Sequence, residues 1–176
     1  MHASGELDIE GYVEDQPKFG SRGGDPMFKV IPKGTNITGI TLYKDMDGDF
    51  ITGFKIHHTT GSVSREPTRA GCNLSEYFEL NDDEHITKVI FCTKFNGRFH
   101  KDTVFGIEMY TQNGEKMHYG NCSGYKYIHT GVRLVGFAGN IGHGVDRLWC
   151  IWDETRKPSK FIPAVIKIKT KCFVLS

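Results

Sequence analysis

The sequence lacks long hydrophobic runs and an excess of charge of either sign. No apolar stretch is long enough to span a bilayer, and residues 1–11 carry three acidic side chains and no apolar run, so no signal peptide is predicted. Lys and Arg number 22 against 21 Asp and Glu, a formal charge of +1, which gives no electrostatic case for binding nucleic acid or an anionic membrane surface. The compartment is left open: cytoplasmic, or secreted after removal of a leader.

Cysteine is scarce and poorly spaced for a metal site. No two of the five cysteines form a CxxC pair, and an odd number does not suit a disulfide-rich scaffold. We therefore expect buried or free thiols, as in a reducing compartment. Phosphate-binding loops, nucleophile elbows and zinc signatures are also missing, so neither a cofactor nor a metal is expected. The cysteines are Cys72, Cys92, Cys122, Cys150 and Cys172.

Glycine, by contrast, is abundant, with 21 residues against 6 prolines. This density of turn formers favours short strands over long helices, and no long helical period runs through the chain. Hydrophobic residues make up 38% and aromatic residues 12%, which suits a folded core and not a disordered chain. The composition and patterning predict an all-β protein.

The apolar residues repeat in three ordered pairs of strands. Each strand has an apolar residue, two free positions, a second apolar residue, one free position and a third apolar residue. The last two share one face of a strand, and the first indicates a change of face or a β-bulge. Three similar antiparallel units around one core predict a prism. The segments are Ile37-x-x-Ile40-x-Leu42 with Ile51-x-x-Phe54-x-Ile56, Ile86-x-x-Val89-x-Phe91 with Val104-x-x-Ile107-x-Met109, and Val132-x-x-Val135-x-Phe137 with Val145-x-x-Leu148-x-Cys150.

Turn signals follow the second strand of the first two pairs. Thr60-Gly61 follows the first pair, and Asn113-Gly114 follows the second and favours a type I′ hairpin turn. The third pair runs instead into a charged segment, so we expect its missing strands to come from the N-terminal segment, which would close the structure and hide its edges. The alternation in residues 164–169 predicts one added strand, which packs on the prism or serves as an interaction edge.

Three local motifs resemble the jacalin-related lectins. Residues 136–146 (GFAGNIGHGVD) are similar to that family's final loop, G-F-x-G-x-x-G-x-x-x-D. Residues 20–24 (GSRGG) resemble its glycine-rich first loop, and residues 113–120 resemble its middle hairpin. The final loop is the most specific of the three, because it lies between the paired strands of the third repeat, as the family requires.

The resemblance implies a β-prism I fold, in which three antiparallel Greek-key sheets have pseudo-threefold symmetry. Residues 18–153 would form the lectin domain, after an N-terminal segment, 1–17, and before a C-terminal extension, 154–176. The implied function is that of a carbohydrate-binding lectin and not an enzyme. Mannose- or glucose-type glycans are favoured, because the chain runs uncut into the first loop. Single-site lectins of this kind often oligomerise, so a homo-oligomer is a further expectation.

Asp146, at the end of the final loop, is the central residue of the expected sugar site. A fixed carboxylate accepts hydrogen bonds from two adjacent sugar hydroxyls, and charge-assisted bonds are the stronger kind. The backbone N–H groups of His143 and Gly144 are expected to donate to the same hydroxyls and the ring oxygen. Gly142 would make the turn at positive φ. Spacing alone favours a strand-start residue that bonds its own loop; the position in the third repeat and the family match favour the site instead.

The first loop departs from the family pattern, in which a second glycine pair supplies an N–H to the sugar. Here Gly24 is followed by Asp25 and Pro26, and proline has no N–H to donate. We expect the donor to shift to Gly24, Asp25 or Met27, or to be lost. Its loss would leave a protein-interaction or membrane-targeting module on the same prism. The candidate carbohydrate-binding residues are Gly24, Asp25, His143, Gly144 and Asp146.

The first two repeats have Thr52 and Phe105 where the third has Asp146, so one sugar site per domain is predicted. A glycosidase would need two carboxylates facing across a cleft, and the site offers one. A basic cluster in the second repeat is interpreted as a solvated loop, which the resemblance places near the sugar site. This cluster consists of Lys94, Arg98, His100 and Lys101.

Two further motifs look like metal sites and are interpreted otherwise. Residues 45–49 (DMDGD) resemble the start of a calcium loop, but glycine and glutamate are absent at the sixth and twelfth positions that such a loop needs. We interpret them as a turn between strands. His57 and His58 are neighbours on a strand and point to opposite faces, so they do not easily chelate one metal.

Overall fold

A computed structural model of the chain describes residues 8–68 and 73–155, which form twelve β-strands. No helix long and apolar enough to cross a membrane occurs among these residues. The first six strands are β1 (Tyr12–Glu14), β2 (Asp25–Val30), β3 (Ile37–Asp45), β4 (Ile51–His58), β5 (Gly61–Arg65) and β6 (Asn73–Glu79). The other six are β7 (Ile86–Asn96), β8 (Lys101–Thr111), β9 (Lys116–Gly120), β10 (Tyr125–Thr130), β11 (Leu134–Ile141) and β12 (Val145–Asp153).

The strands form three four-stranded antiparallel sheets, in the orders β5-β4-β3-β6, β10-β7-β8-β9 and β1-β12-β11-β2. In the first two sheets, three successive strands form a meander and the fourth returns beside the first, which is the Greek-key arrangement. The third sheet has the same arrangement, but β1 and β2 come from the start of the chain and pair with β12 and β11. The predicted all-β prism and its closure by the N-terminal segment are therefore confirmed.

The inner faces of the three sheets meet in an aromatic core. Phe54, Phe91 and Phe137 each come from a different sheet and are at most 2% exposed. The ring of Phe137 lies 5.1 Å from that of Phe54 and 6.0 Å from that of Phe91, both nearly edge-on. Each pair of this kind contributes roughly 0.5–1.5 kcal/mol beyond area burial. The core thus ties the three sheets together around one axis.

A β-bulge lies near the start of the first strand of every pair, as the spacing predicts. The register shifts fall between Ile37 and Gly39, between Ile86 and Lys88, and between Leu134 and Gly136. Leu134 therefore occupies the position of Ile37 and Ile86, and the alignment that starts the third segment at Val132 is wrong by two residues. Leu134 and Val135 are both buried, so apolar spacing alone does not locate the bulge.

Both hairpin signals mark real hairpins, β4–β5 and β8–β9, but the predicted type I′ turn at Asn113-Gly114 is wrong. A type I′ turn needs positive φ at both central residues. Here Gly114 has φ 85°, whereas Asn113 is not in the left-handed region. The loop is longer than two residues: the N–H of Gly114 donates to the carbonyl of Thr111 at 2.9 Å, and Thr111 and Glu115 close the ladder.

The expectation of free thiols is wrong for two of the cysteines. Cys92 on β7 forms a disulfide with Cys122 in the loop between β9 and β10. The partners are 30 residues apart in sequence, and only the return of the chain beside β7 brings them together. Cys150 is a free, buried thiol. Cys72, Cys172 and the strand predicted at 164–169 lie outside the described residues.

Candidate functional site

A second set of β-bulges lies at one end of the prism, once in each sheet. At each bulge one residue of the second strand of the central pair is skipped in the pairing register: Thr52 in β4, Phe105 in β8 and Asp146 in β12. A bulge re-aims a side chain and is common beside binding sites. The three residues are thus structurally equivalent, as the sequence repeat predicts, and among them Asp146 alone has a carboxylate.

The side chains at the three bulges have different partners. The hydroxyl of Thr52 donates to the amide oxygen of Asn73 at 2.8 Å. Phe105 is buried and packs edge-on against Phe50, with ring centroids 6.2 Å apart. The carboxylate of Asp146 is 5% exposed and forms an ion pair with the ammonium of Lys101 at 3.0 Å. At the third bulge, therefore, the skipped residue itself carries a charge and is ion-paired at the wall of a cavity.

This cavity has a volume of about 200 Å³ and brings together four of the five candidate residues. The exception is Asp25, which begins β2, pairs with Ile141 and is exposed. Within the described residues, the Asp25 side chain has no hydrogen bond or ion pair. The cavity is lined by Gly24, Phe99, Lys101, Gly142, His143, Gly144 and Asp146.

The first loop packs its backbone directly on the carboxylate, and this contact requires glycine. A Cβ atom placed on Gly23 or on Gly24 would lie 2.9 Å from Oδ2 of Asp146. Gly24 also has φ 76°, a left-handed conformation that disfavours other residues. Its Cβ would in addition lie 2.7 Å from the backbone nitrogen of Gly142. The two glycines therefore let the first loop and the final loop meet at Asp146.

The predicted positive φ at Gly142 is wrong, because the left-handed glycine of this site is Gly24. In the final loop the N–H of Gly142 donates to the carbonyl of Gly144 at 3.0 Å. A Cβ atom on Gly142 would lie 3.4 Å from the Cα atom of Gly24, which is an ordinary van der Waals contact. Neither the backbone conformation of Gly142 nor the space around it therefore requires glycine at this position.

Lys101 and Phe99, which were not among the candidate residues, belong to the cavity. Lys101 begins β8 and is one-third exposed, so its interpretation as a purely solvated loop residue is wrong. The ring of Phe99 contacts Phe50 at 5.1 Å, and both rings would lie 3.0 Å from a Cβ on Gly144. Only the family resemblance, which places this loop near the sugar site, points to these two residues in the sequence.

The two motifs that look like metal sites, residues 45–49 and the pair His57 and His58, make hydrogen bonds within the protein instead. The carboxylate of Asp45 accepts hydrogen bonds from the N–H groups of Asp47 and Gly48, so this segment is a turn between β3 and β4, as predicted. His57 and His58 have separate partners. The Nε2 atom of His57 lies 3.0 Å from the hydroxyl of Thr41, whereas His58 accepts a hydrogen bond at Nδ1 from the N–H of Thr60.

Solved structures of several lectins have the same architecture. A mannose-specific jacalin-related lectin from Morus nigra in complex with mannose is 18% identical, with a TM-score of 0.65 over 86% of this chain and 99% of that one. Artocarpin in a mannotriose complex is 20% identical, with a TM-score of 0.63 over 78% and 95% of the two chains. Calsepa lectin in complex with a bisected glycan is 17% identical, with a TM-score of 0.67 over 78% and 94%.

At these identities the structural likeness shows the fold, and the sequence pattern shows the family. No curated protein sequence matches the chain significantly. The family model described as the jacalin-like lectin domain matches residues 17–149, which is most of the chain. The match includes the glycine-rich first loop, the final loop and the bulge at Asp146. The chain therefore belongs to the jacalin-like lectin domain family.

Proposed function

We propose that this domain binds one hexose of the mannose or glucose type in the cavity at Asp146. The observation that carries the proposal is a nearly buried carboxylate at the wall of an open cavity of about 200 Å³, held there by two glycine-containing loops. A carboxylate in this position accepts hydrogen bonds from two adjacent hydroxyls of a sugar. The N–H groups of His143 and Gly144 supply donors from the final loop.

Lys101 supplies the donor that the first loop lacks. An ammonium group has three donors, and Asp146 engages Lys101 through one contact of 3.0 Å. Pro26 has no N–H, so it cannot donate a hydrogen bond at the position where other family members do. Lys101 lines the same cavity, so its remaining donors can bond a hydroxyl or the ring oxygen of a sugar there. The ring of Phe99 offers an apolar wall to the C–H face of the sugar.

The comparisons support the sugar class without fixing it. The Morus nigra lectin is described as mannose-specific, and artocarpin is bound to mannotriose. Both share the fold of this chain, and the family is one of lectins. We propose that the bound sugar is released unchanged. A glycosidase needs two carboxylates beside the scissile bond, and among the described cavity-lining residues Asp146 is the sole carboxylate.

Substitution of Asp146 tests this function. Isothermal titration with mannose and glucose oligosaccharides should show binding by the native protein and a loss of about tenfold or more for Asp146→Asn, because a hydrogen bond to a charged group is worth roughly 1.5–3 kcal/mol. Thr52→Val, at the equivalent bulge of the first repeat, is the matched control and should bind as the native protein does. Equal affinity of the native protein and Asp146→Asn would reject the proposal.

The Lys101–Asp146 ion pair also favours a second candidate function. If the ammonium saturates the carboxylate, the prism has lost sugar binding and acts as a protein-interaction or membrane-targeting module. In that case the native protein would bind no glycan on an array, and a variant without the ammonium would gain binding. The two candidates thus predict opposite signs for the effect of removing Lys101.

A further inference from the structure

The chain contains three copies of the N-glycosylation sequon, the tripeptide Asn-x-Ser/Thr. This tripeptide is an acceptor of N-linked glycans in proteins that pass through the secretory pathway. The Cys92–Cys122 disulfide points to that route, because disulfides form and persist in oxidising compartments. The fold gives the three asparagines different surroundings, which distinguish them as acceptors. The sequons are Asn36-Ile37-Thr38, Asn73-Leu74-Ser75 and Asn121-Cys122-Ser123.

The first sequon is open to solvent at the start of β3. Asn36 and Thr38 are both exposed, and between them Ile37 is 7% exposed and belongs to the core. The backbone here is held in place, because the N–H of Thr59 donates to the carbonyl of Asn36 at 3.1 Å. The acceptor amide and the hydroxyl that the sequon requires are therefore both accessible in the folded chain.

Arg133 fixes the orientation of the Asn36 amide. Arg133 is 6% exposed, and its Nη1 atom donates to the amide oxygen of Asn36 at 3.1 Å. A guanidinium group only donates, so the oxygen faces Arg133 and the nitrogen lies on the other side of the amide group. Within the described residues, this Nδ2 atom has no hydrogen-bond partner. A sugar attached to Nδ2 therefore displaces no hydrogen bond of the fold.

The surface around Asn36 leaves room for a glycan. Two cavities of about 300 and 220 Å³ adjoin this position, and Asn36 and the exposed Asp82 line both. At its other end β3 reaches Asp45, which lines a cavity together with His143 of the final loop. Nine residues of strand are roughly 30 Å long at about 3.3 Å per residue. A glycan on Asn36 is thus at the end of the prism opposite the proposed sugar site.

The second sequon is at the wrong end of the prism. Asn73 is partly buried, and its amide oxygen accepts a hydrogen bond from the hydroxyl of Thr52 at 2.8 Å. Asn73 also lines the cavity that contains His143. A glycan on this residue would cover the final loop and disturb the bulge at Thr52.

The third sequon is closed by its own contacts. The amide oxygen of Asn121 accepts hydrogen bonds from the N–H and the hydroxyl of Ser123, at 2.8 and 2.6 Å. The hydroxyl that the sequon requires is therefore used inside the turn. The middle residue, Cys122, is cross-linked to Cys92, so the tripeptide cannot extend once the disulfide has formed.

We propose that Asn36 is an N-glycosylation site, and that it is the sequon of this chain that carries a glycan. The donor is a lipid-pyrophosphate-linked oligosaccharide whose first sugar is an N-acetylhexosamine. Nδ2 of Asn36 forms a bond to C1 of this sugar as the bond from C1 to the pyrophosphate oxygen breaks. The lipid pyrophosphate leaves with the electron pair of that bond, and the amide nitrogen loses one proton.

Secretion of the full chain tests the proposal. The chain is expressed behind a secretion leader in eukaryotic cells, and its mass is measured before and after treatment with a peptide N-glycosidase. This enzyme converts a glycosylated asparagine to aspartate, so heavy-oxygen water labels the modified position. We expect one glycan per chain and the label at residue 36. Chains from the medium and from inside the cells are both measured, so a variant that folds poorly is still scored.

Substitutions identify the acceptor. Asn36→Gln and Thr38→Ala should each remove the glycan, and Thr38→Ala does so with the contact between Asn36 and Arg133 intact. Thr38→Ser keeps the hydroxyl and is the matched control that should retain the glycan. Asn73→Gln and Asn121→Gln should also retain it. The proposal is overturned if the native chain carries no glycan, or if the glycan persists in Asn36→Gln.

Discussion

The ammonium of Lys101 lies 3.0 Å from the carboxylate of Asp146, although Lys101 begins β8 and Asp146 is the second residue of β12, in a different sheet. The pair joins β8 to β12 at the end of the prism where all three sheets have a bulge. The Asp146 side chain is 5% exposed and that of Lys101 is 32% exposed. The Asp146 carboxylate is thus almost entirely enclosed by the protein, whereas the Lys101 ammonium is accessible from the cavity.

Removal of the Lys101 ammonium distinguishes whether it donates a hydrogen bond to the sugar or blocks the site. Lys101→Met retains most of the side-chain length and removes the charge and all three donors. If Lys101 donates to the sugar, affinity falls about tenfold, which corresponds to roughly 1.4 kcal/mol. Titration calorimetry with the sugar of highest affinity measures the change, and Lys94→Met, in the same basic cluster but outside the cavity lining, is the control. A gain in affinity for Lys101→Met would show that the ion pair blocks the site.

Gly24→Ala should abolish sugar binding and lower stability. The added Cβ meets Asp146 and Gly142 at less than 3 Å, and φ 76° costs an alanine roughly 1–2 kcal/mol. Chemical denaturation measures the loss of stability, and titration calorimetry measures the loss of binding. The control is Gly97→Ala, because a Cβ on Gly97 meets nothing within 4 Å and its φ is not left-handed. Equal effects of the two substitutions would contradict this account of the first loop.

A buried histidine should make the domain sensitive to acid. His129 is fully buried, and its Nδ1 lies 2.7 Å from Asp15, whose carboxylate also accepts a hydrogen bond from the Trp152 indole. Burial lowers the pKa of His129, despite the opposing effect of Asp15, and nearby Lys18 lowers it further. For Asp15, burial raises the pKa, but hydrogen bonds from His129 and Trp152 outweigh it and hold the pKa below the ordinary value.

Both shifts give stability that is lost as pH falls. The unfolded chain takes up a proton at histidine near pH 6.5, roughly, before folded His129 does, so the free energy of unfolding decreases below that pH. The contribution of Asp15 disappears at lower pH, from about 3.9 down through its folded pKa. Thermal unfolding across this range should show a smaller slope near the histidine value for His129→Phe. His100→Asn should keep the native slope; an unchanged slope in His129→Phe would reject the assignment.

The disulfide should stabilise the prism without being required for it. Replacing Cys92 and Cys122 together by alanine opens a loop of 30 residues and should reduce the free energy of unfolding by roughly 2–4 kcal/mol. Urea denaturation measures this loss, with Cys172→Ala as the control. Phosphine treatment should lower the stability of the native chain by a similar amount and leave that of the double variant unchanged. A phosphine effect on the double variant would point to another bond.

The sheets could be predicted from the sequence because strand periodicity and burial on one face are local properties. The equivalence of Thr52, Phe105 and Asp146 followed from the same repeat. The Cys92–Cys122 bond could not be predicted, since it depends on which strand returns beside β7. The spacing of residues in the sequence does not show which strands are neighbours in a sheet. The ion pair of Lys101 with Asp146 could not be predicted either, because a charged residue shows no strand periodicity and its partner lies in another sheet.

The shape of the first loop could not be predicted from the sequence for a related reason. Gly23 and Gly24 are required by a contact with Asp146, which is distant in the chain. Gly142 lies in the turn between β11 and β12 but lacks the positive φ expected of it, whereas Gly24 of the first loop has that φ. A sequence does not show which of several glycines takes the left-handed conformation.

The third sheet, assembled from both ends of the domain, also sets an order of events during synthesis. The first loop precedes β2 and leaves the ribosome early, whereas Asp146 is near the end of the domain. A growing chain can therefore complete the first two sheets before Asp146 is in place. Contacts this distant in sequence form slowly. If Asp146 binds the sugar as proposed, sugar binding is acquired at the last step of folding, and a chain that stops before β12 does not acquire it.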